Sequence, residues 1–313
     1  MLMSTTFRIG TRESRLAVWQ ATQVQKLLLG RGYHSELVYI KSEGDIDLTT
    51  PLYEIGVQGI FTRNLDAALL SNKIDLAVHS MKDVPTQLPN GLSQAAVLDR
   101  GPVSDLLVVK NGFDFLADTD YTANIATSSI RRRAQWLHRY PHHIIHNLRG
   151  NMQTRLEKLH LEKWDGAIFA QAGLERIELR PESSVELDWM LPAPAQGAIM
   201  VVARNDDKTV IDACKMINDK TTALCTHIER TFLRGLLGGC STPVSAYART
   251  VNNKVHFRGN IFSPDGRRKV EIEKMVTITD SETLGMLCAE EVLSNGGKEI
   301  NEMIRQQIKT TSA

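Results

Sequence analysis

Apolar positions along the first hundred residues alternate between a strand pattern and a helix pattern. Short apolar runs at residues 7–10, 36–40 and 75–78 are typical of strands. Between the first two runs, apolar residues recur every three or four positions, which predicts an amphipathic helix over residues 15–29. A second such helix follows residue 61. The resulting β-α-β-α-β order predicts a mostly parallel sheet with right-handed crossovers.

The same rhythm restarts after residue 102. Strand patterns alternate with two helix patterns that begin near residues 129 and 152, the strands lying at residues 105–110, 124–127, 144–148 and 165–170. The prolines between residues 191 and 197 then predict an extended crossing, which leads to a strand at 199–203. The repetition therefore predicts a second α/β domain, after which the chain returns to the first.

The last third of the chain has a different pattern. Helix patterns precede three strands with period-2 stretches and two further helices, at residues 210–217, 223–237, 244–249, 255–261, 269–276, 283–294 and 298–308. We predict an α/β protein of two α/β domains, with a cleft and hinges near 99–102 and 192–197, followed by a small α+β domain. The predicted boundaries are 1–99 plus 196–216, 102–193 and 218–313.

Charge and cysteine content narrow the function classes. The 313 residues include 37 Lys and Arg against 36 Asp and Glu, so no global field draws the chain to nucleic acid or to an anionic membrane. We find no secretory signal and no run long enough to span a bilayer, and expect a cytoplasmic protein. The four cysteines show no zinc-ligand spacing, which predicts no metal site, and only Cys240 lies on a predicted loop.

Two charged tips follow predicted strands in the first domain. Lys82 and Asp83 come after the strand at 75–78, and Pro85 holds them on a fixed loop. Arg12 lies between a strand end and a helix start, where an anion can bind. Because ligands gather at the carboxyl ends of strands in α/β sheets, both tips are candidate site residues. The alternatives are a Lys82–Asp83 ion pair in solvent and a surface arginine.

Arginines are concentrated at the strand tips of the second domain. Thr127, Ser128 and Ser129 precede a helix whose first turn carries three arginines, and further arginines follow the next strands, giving Arg131, Arg132, Arg133, Arg149, Arg155 and Arg176. Gly150 permits close backbone approach. Cations oppose the dipole at a helix start, so this arrangement predicts a ligand with several carboxylates or phosphates. A solvated face with partners inside the fold is the alternative.

Five motifs together resemble one family over nearly the whole chain. They are Gly10-Thr11-Arg12-Glu13-Ser14, His79-Ser80-Met81-Lys82-Asp83-Val84-Pro85, Thr127-Ser128-Ser129-Ile130-Arg131-Arg132, Leu148-Arg149-Gly150-Asn151 and Gly238-Gly239-Cys240. In order and spacing they closely resemble the hydroxymethylbilane synthase family, also called porphobilinogen deaminase. The resemblance implies periplasmic-binding-protein-like α/β domains, a monomer, and head-to-tail joining of four porphobilinogen molecules with loss of ammonia. It also implies a dipyrromethane cofactor made from substrate.

The resemblance further implies a role for each matching residue. Asp83 would be the catalytic carboxylate, and Cys240 would carry the cofactor through a thioether. Cofactor binding would fall to Lys82, Ser80, Thr127, Ser128, Ser129, Arg131, Arg132, Arg155 and Gly150. Substrate binding would fall to Arg12, Ser14, Gln20, Arg149, Arg176, Gln196 and Gly197. Each pyrrole carries an acetate and a propionate, which suits a crevice of arginines.

This chain departs from the family pattern at four positions. Glu54 and Gln58 stand on the lid-like stretch 42–58 where lysines are frequent, so lid closure would differ unless Lys41 or Arg63 compensates. Ala195 replaces a usual glycine, and Asn64 replaces a commonly acidic residue.

Three other interpretations stay open at this point. A non-catalytic anion-binding protein with two α/β lobes would share the architecture but give Cys240 no role. Nucleic-acid binding through Arg131, Arg132 and Arg133 would require a larger basic face. A family member that lost its activity through the altered lid is the third.

Overall fold

A computed structural model describes residues 6–41, 59, 61–236 and 242–311 of the chain. Their contacts divide the chain into two compact units. The first contains the described residues up to Gly101 together with Gln196–Leu224, and the second contains Pro102–Ala195 and the described residues from Cys225 onward. The finer division of the second unit into domains at 102–193 and 218–313 stays a prediction, as does the cleft.

The first unit is built on a five-stranded sheet. Its strands are β1 (Phe7–Thr11), β2 (Ser35–Tyr39), β3 (Leu76–Ser80), β4 (Leu92–Val97) and β10 (Ile199–Arg204), in the order β2-β1-β3-β10-β4. Its helices are α1 (Arg15–Leu29), α2 (Arg63–Leu70) and α6 (Lys208–Lys215). The apolar face of α1, formed by Ala21, Val24 and Leu28, packs in the core with Ile9 and Val78, as the helical spacing predicted.

The prediction of a mostly parallel sheet is confirmed for the three strands of the β-α-β-α-β order. Strands β1, β2 and β3 are parallel, but β10 runs antiparallel to both β3 and β4. The rule for parallel crossovers does not apply to β10, because that strand arrives from the second unit and not through a βαβ connection. Strand β4 was not predicted, because polar Ser93 and Gln94 interrupt its apolar run.

The second unit repeats this architecture. Its sheet has the order β7-β6-β8-β5-β9, with β6, β7 and β8 parallel and β5 antiparallel to its two neighbours. The elements are β5 (Asp105–Val109), β6 (Asn124–Ala126), α3 (Ile130–Arg139), β7 (Ile144–His146), α4 (Met152–Leu161), β8 (Gly166–Ala170), α5 (Gln171–Glu175) and β9 (Ser184–Glu186). Both sheets thus share one strand order, in which three parallel strands are followed by an antiparallel strand and an edge strand. The three-residue β9 was not predicted.

The C-terminal part forms a smaller α+β layer. Helix α7 (Lys220–Gly235) precedes the antiparallel strands β11 (Val244–Val251), β12 (Lys254–Phe262) and β13 (Lys269–Thr277), and α8 (Leu284–Val292) and α9 (Lys298–Thr311) follow. Phe232 of α7 packs edge-on against Phe257 of β12, with ring centroids 5.2 Å apart. The predicted strands and helices of this part are confirmed, and with the two five-stranded sheets they confirm the mixed α/β class.

Close contact between α7 and α8 depends on a glycine. A Cβ atom added at Gly285 would lie 2.2 Å from the backbone oxygen of Ile228 and 3.0 Å from the backbone nitrogen of Phe232. Because both neighbours are main-chain atoms, a side chain at this position requires the two helices to separate.

We therefore expect Gly285→Ala to lower the free energy of unfolding by about 1–3 kcal/mol, the range for an overpacked core. Denaturant unfolding followed by circular dichroism would measure the change. Leu287→Ala is the matched control, since Leu287 lies on the same helix but is exposed. Equal effects of the two variants would contradict close packing at Gly285.

Candidate active site

The turn that carries Asp83 is held on both sides by buried residues. Strand β3 ends at Ser80 and continues into a single 3-10 turn, Met81–Asp83. The N–H of buried Met81 donates to the oxygen of Ala198 at 3.0 Å, and the N–H of buried Val84 donates to the oxygen of Met81 at 3.2 Å. Val84 is extended, as the following proline requires. The backbone therefore presents Lys82 and Asp83 on a fixed turn.

Lys82 is linked to the segment that re-enters the first unit. Its Nζ donates to Oε1 of Gln196 at 3.3 Å, and Gln196 is buried, with only 1% of its surface exposed. The backbone oxygen of Gln196 accepts from Nε of Arg100 at 2.9 Å. Hydrogen bonds to side chain and backbone thus set the position of Gln196. Gly197 continues this segment with a φ of 85°, in the left-handed region that favours glycine.

Neighbouring elements place four more predicted residues near this turn. Strands β1 and β3 are parallel and adjacent, so Arg12, after β1, and Ser80 lie at the same edge of the sheet. Ser80 and Gln20 of α1 exchange hydrogen bonds at 2.9 and 3.2 Å. Ser14 caps α1 by accepting from the N–H of Ala17 at 3.3 Å.

Arg12 itself lies over an aromatic ring. The central carbon of its guanidinium is 4.5 Å from the centroid of the Phe61 ring, a cation–π distance. The arginine is therefore oriented by α2's entry segment as well as by the end of β1.

His79 is a site residue to which the sequence reasoning gave no role. It is 6% exposed at the penultimate position of β3, and Nε2 has no hydrogen-bond partner among the residues the structure describes. Burial, with a smaller contribution from the charge of Arg12, lowers the pKa of His79 to about 4. The imidazole is therefore neutral at physiological pH. The sequence did contain a signal for this residue, because a histidine near the end of a buried apolar strand is unusual.

In the second unit, Asp105 binds two of the predicted anion-binding arginines. Its Oδ2 accepts from Arg131 at 2.6 Å, and its Oδ1 accepts from Nε and Nη2 of Arg132 at 3.0 and 2.7 Å. Asp105 is fully buried, and the two arginines are 4% and 6% exposed. Burial lowers the pKa of Arg131, and the Asp105 carboxylate opposes that shift. The alternative of partners inside the fold therefore holds for both side chains, while their role in cofactor binding stays a prediction.

The same two guanidinium groups also bind the backbone of neighbouring segments. Arg131 donates to the oxygen of Leu191 at 2.8 Å, and Arg132 donates to the oxygen of Ile168 in β8 at 2.9 Å. The network thus joins α3, β5, β8 and the segment after residue 190. Asp105 was missed because a single acidic residue at the start of an apolar strand gives no distinctive pattern.

Hydroxyl groups connect the ends of the parallel strands β6 and β7. Ser129 caps α3 by accepting from the N–H of Arg132 at 3.4 Å, and Thr127 accepts from the N–H of Ser129 at 3.2 Å. Ser128 lies between the strand ends, where its hydroxyl bonds both the N–H and the oxygen of Leu148 and contacts Asn147.

The strand end after β7 brings further cations to this edge. Gly150 has a φ of 115°, and an added Cβ would lie 2.8 Å from Cγ2 of Thr154, so this tip requires glycine. Its oxygen accepts from Nε of Arg155 at 2.8 Å. Arg149 is 4% exposed, and its oxygen accepts from Lys158 at 3.2 Å.

Arg176 follows the third parallel strand of this sheet. It ends α5, which begins directly after β8. Burial lowers the pKa of Arg176 to about 10, so the side chain is partly desolvated but keeps its charge at neutral pH. Because β7, β6 and β8 are parallel neighbours, the tips with Arg149, Ser128 and Arg176 share one edge of the sheet.

The structure thus groups the predicted site residues by unit. The Asp83 turn, Arg12, Gln20 and Gln196 lie together in the first unit, and the hydroxyl and arginine tips lie together in the second. Cys240, Glu54 and Gln58 lie outside the described residues, as does the stretch 42–58. Asn64 donates to the backbone oxygen of Lys41 at 2.7 Å, where that stretch begins.

Comparison with known proteins defines the class. Residues 7–212 match the model of the porphobilinogen deaminase dipyromethane cofactor binding domain, and residues 223–294 match that of the porphobilinogen deaminase C-terminal domain. The chain belongs to the porphobilinogen deaminase family. It is a transferase that joins four porphobilinogen molecules head to tail with loss of ammonia, forming hydroxymethylbilane in tetrapyrrole biosynthesis. It uses a dipyrromethane cofactor.

Solved structures of binding proteins also match part of the chain. The methionine-binding protein MetQ is 13% identical with a TM-score of 0.43, over 70% of this chain and 92% of that one. A nutrient-binding protein from Burkholderia cenocepacia bound to methionine is 14% identical with a TM-score of 0.42, over 69% and 93%. The VFT2 domain of Bordetella pertussis BvgS is 14% identical with a TM-score of 0.42, over 68% and 86%. The family assignment depends on the two family models alone. It excludes the alternative of a non-catalytic anion-binding protein.

The described residues fit a cofactor that carries carboxylates. The strand ends of the second unit supply guanidinium groups and hydroxyls, which are the donors that bind carboxylates best. The described part of the chain contains no helix long and apolar enough to cross a membrane.

Asp105 gives this site a stability test. In Asp105→Asn, two buried guanidinium groups lose their counter-charge, so we expect the free energy of unfolding to fall by about 3–5 kcal/mol. Thermal and urea unfolding would measure it. The matched control is Asp212→Asn, which breaks an exposed pair with Lys215 and is expected to change stability by less than about 1 kcal/mol. Similar losses of unfolding free energy in both variants would show that the buried network stabilises the fold no more than an exposed ion pair does.

Proposed function

We propose that Asp83 is the catalytic carboxylate of hydroxymethylbilane synthesis. The single observation that supports this role is the fixed turn Met81–Asp83 at the end of β3, beside the end of β1 that carries Arg12. Each condensation releases an amine as ammonia and develops positive charge on a pyrrole nitrogen. A carboxylate already held in place stabilises that charge without reorganising, and it accepts a hydrogen bond from the departing amine.

We propose that the remaining predicted residues of the first unit bind the substrate or, in the case of Lys82 and Ser80, the cofactor. Arg12 binds a carboxylate of the incoming porphobilinogen. The same substrate molecule is contacted by Ser14, Gln20, Gln196 and Gly197. Lys82 binds a cofactor carboxylate, and its contact with Gln196 holds the ammonium next to Asp83. Ser80, which bonds Gln20, completes this part of the site.

The residues of the second unit bind the acidic side groups of the cofactor and growing chain. Arg155, Thr127, Ser128, Ser129 and Gly150 contact the cofactor, and Arg149 and Arg176 contact the substrate. Arg131 and Arg132 bring two positive charges to one carboxylate of Asp105, so the triad keeps a net positive charge that suits an anionic cofactor. The bound dipyrromethane supplies the primer to which pyrrole units are added.

We propose that Cys240 carries the cofactor through a thioether. The three other cysteines are buried, and burial raises the pKa of Cys214 to about 12 and that of Cys288 to about 11. Such thiols hold almost no thiolate near neutral pH, so they are poor nucleophiles. Cys225 is buried as well, so none of the three cysteines that the structure describes suits this role, which supports the assignment to Cys240.

We also propose that the protein acts as a monomer in the cytoplasm and binds neither nucleic acid nor membrane. The burial of Arg131 and Arg132 on Asp105 supports the statement on nucleic acid, because it removes two of the three arginines from any exposed basic face.

Replacing Asp83 tests the catalytic assignment. Asp83→Asn keeps the shape of the side chain but removes its charge, so we expect turnover of porphobilinogen to fall by at least about 100-fold. The thermal unfolding midpoint should stay unchanged, because the turn is held by backbone bonds of Met81 and Val84. Glu36→Gln, on the exposed face of β2, is the matched control. Full activity in Asp83→Asn would remove the carboxylate from the mechanism.

Intact mass under denaturing conditions tests the cofactor attachment. The purified chain should weigh more than its 35.0 kDa by two linked pyrrole units, and Cys240→Ser should lack this excess. Cys288→Ser, at a buried thiol, should retain it. An adduct that persists in Cys240→Ser would assign the thioether to another cysteine.

A further inference from the structure

The segment that leaves the second unit ends in an unusual backbone conformation. Ala195 is fully buried and has a φ of 62°, in the left-handed region that residues with a Cβ rarely adopt. Such a conformation persists only where the surroundings hold it. The next residue, Gln196, begins the return of the chain to the first unit.

Glu229 supplies a contact that holds this conformation. Glu229 lies on α7 and is fully buried, and its Oε2 accepts from the N–H of Ala195 at 2.6 Å. The other oxygen, Oε1, accepts from the N–H of Ala248 in β11 at 2.8 Å. One side chain thus joins the end of the crossing segment to the C-terminal sheet by two charge-assisted hydrogen bonds.

The residues before Ala195 are fixed by further bonds within the same unit. Gln135 of α3 accepts from the N–H of Leu191 at 2.9 Å and donates to its oxygen at 2.9 Å. The N–H of Ala246 donates to the oxygen of Pro192 at 3.2 Å. The crossing segment, residues 191–195, is therefore anchored at its start by Gln135 and at its end by Glu229.

We propose that Glu229 is a positioning residue for the reaction. By holding Ala195, it sets the direction in which the chain continues into Gln196, whose side chain receives the ammonium of Lys82 next to Asp83. Loss of the Glu229 contact leaves the catalytic groups present but misplaced. This inference rests on the proposed roles of Lys82 and Asp83.

The first test measures the anchor itself, independently of activity. Glu229→Gln keeps the size of the side chain but turns one acceptor into a donor that faces a backbone N–H. We expect amide hydrogen exchange of a peptide covering residues 191–198 to become about 10- to 100-fold faster, the effect of losing one hydrogen bond to a charged group. The control is Glu291→Gln, which makes the same change in an exposed ion pair with Lys274 of β13. Unchanged exchange in Glu229→Gln would overturn the proposal.

The second test asks whether the anchor acts through Gln196. We expect Glu229→Gln to lower kcat about 10-fold or more, as misplacement of catalytic groups does, with a smaller effect on KM for porphobilinogen. In a Gln196→Ala background, Glu229→Gln should lower kcat by less than about twofold. The contact between Gln196 and Lys82, through which Glu229 acts, is already absent in that background. Glu291→Gln, at the exposed pair with Lys274, should leave kcat unchanged in both backgrounds.

The outcomes separate this inference from the proposed function. A kcat that does not fall, or losses that simply multiply in the double variant, would make Glu229 a structural residue only. A fully active Gln196→Ala would instead remove the contact between Lys82 and Gln196 from the proposed function, and the inference with it. If Glu229→Gln does not fold, Glu229→Asp replaces it, since the shorter carboxylate cannot reach both amides and should give the same coupled loss.

Discussion

The buried triad of Asp105, Arg131 and Arg132 is the interaction on which the second unit depends most. A carboxylate at the start of β5 binds two guanidinium groups from the first turn of α3, and the arginines extend to backbone oxygens of β8 and of Leu191. Removing charges from water is costly, and only good geometry with further hydrogen bonds offsets that cost. The triad therefore orders several segments at once.

The triad also affects how positive charge is distributed at the candidate site. One carboxylate against two guanidinium groups leaves an excess of positive charge behind the strand ends, while Arg149 and Arg176 follow the ends of β7 and β8 and Arg155 lies in the first turn of α4. A chain with nearly balanced overall charge thus concentrates cations at one edge of one sheet. Such a local field suits a ligand whose carboxylates increase in number as the product grows.

Two of the connections between the units, at 101/102 and 195/196, have different local structures. The segment at 191–195 is tied to α3, α7 and β11 by Gln135 and Glu229, and it ends at Ala195 with a positive φ. On the other side, Gly101 donates to the oxygen of Gly197, which ties the first connection to the second. A side chain at Ala195 narrows the backbone conformations open to this crossing, compared with those that a glycine would allow.

The sequence by itself determined most of the elements, the family and the candidate residues, but not the strands β4 and β9. Helix α1 has the predicted bounds, because a serine cap, a continuous apolar stripe and two glycines all indicate the same helix. The charged tips after β3, β6 and β7 were predicted because strand patterns end abruptly at ionisable residues. These signals are local, so a linear reading can detect them.

Only the tertiary structure decided which partners these residues have. Asp105 lies 26 residues before Arg131 in the chain, and Glu229 lies 34 residues after Ala195, and no periodicity reports such pairings. The antiparallel direction of β10 likewise depends on where the chain returns, and the neutral state of His79 depends on burial among neighbours from other elements. Long-range contacts set these properties, because hydrogen bonds and desolvation act through space and not along the sequence.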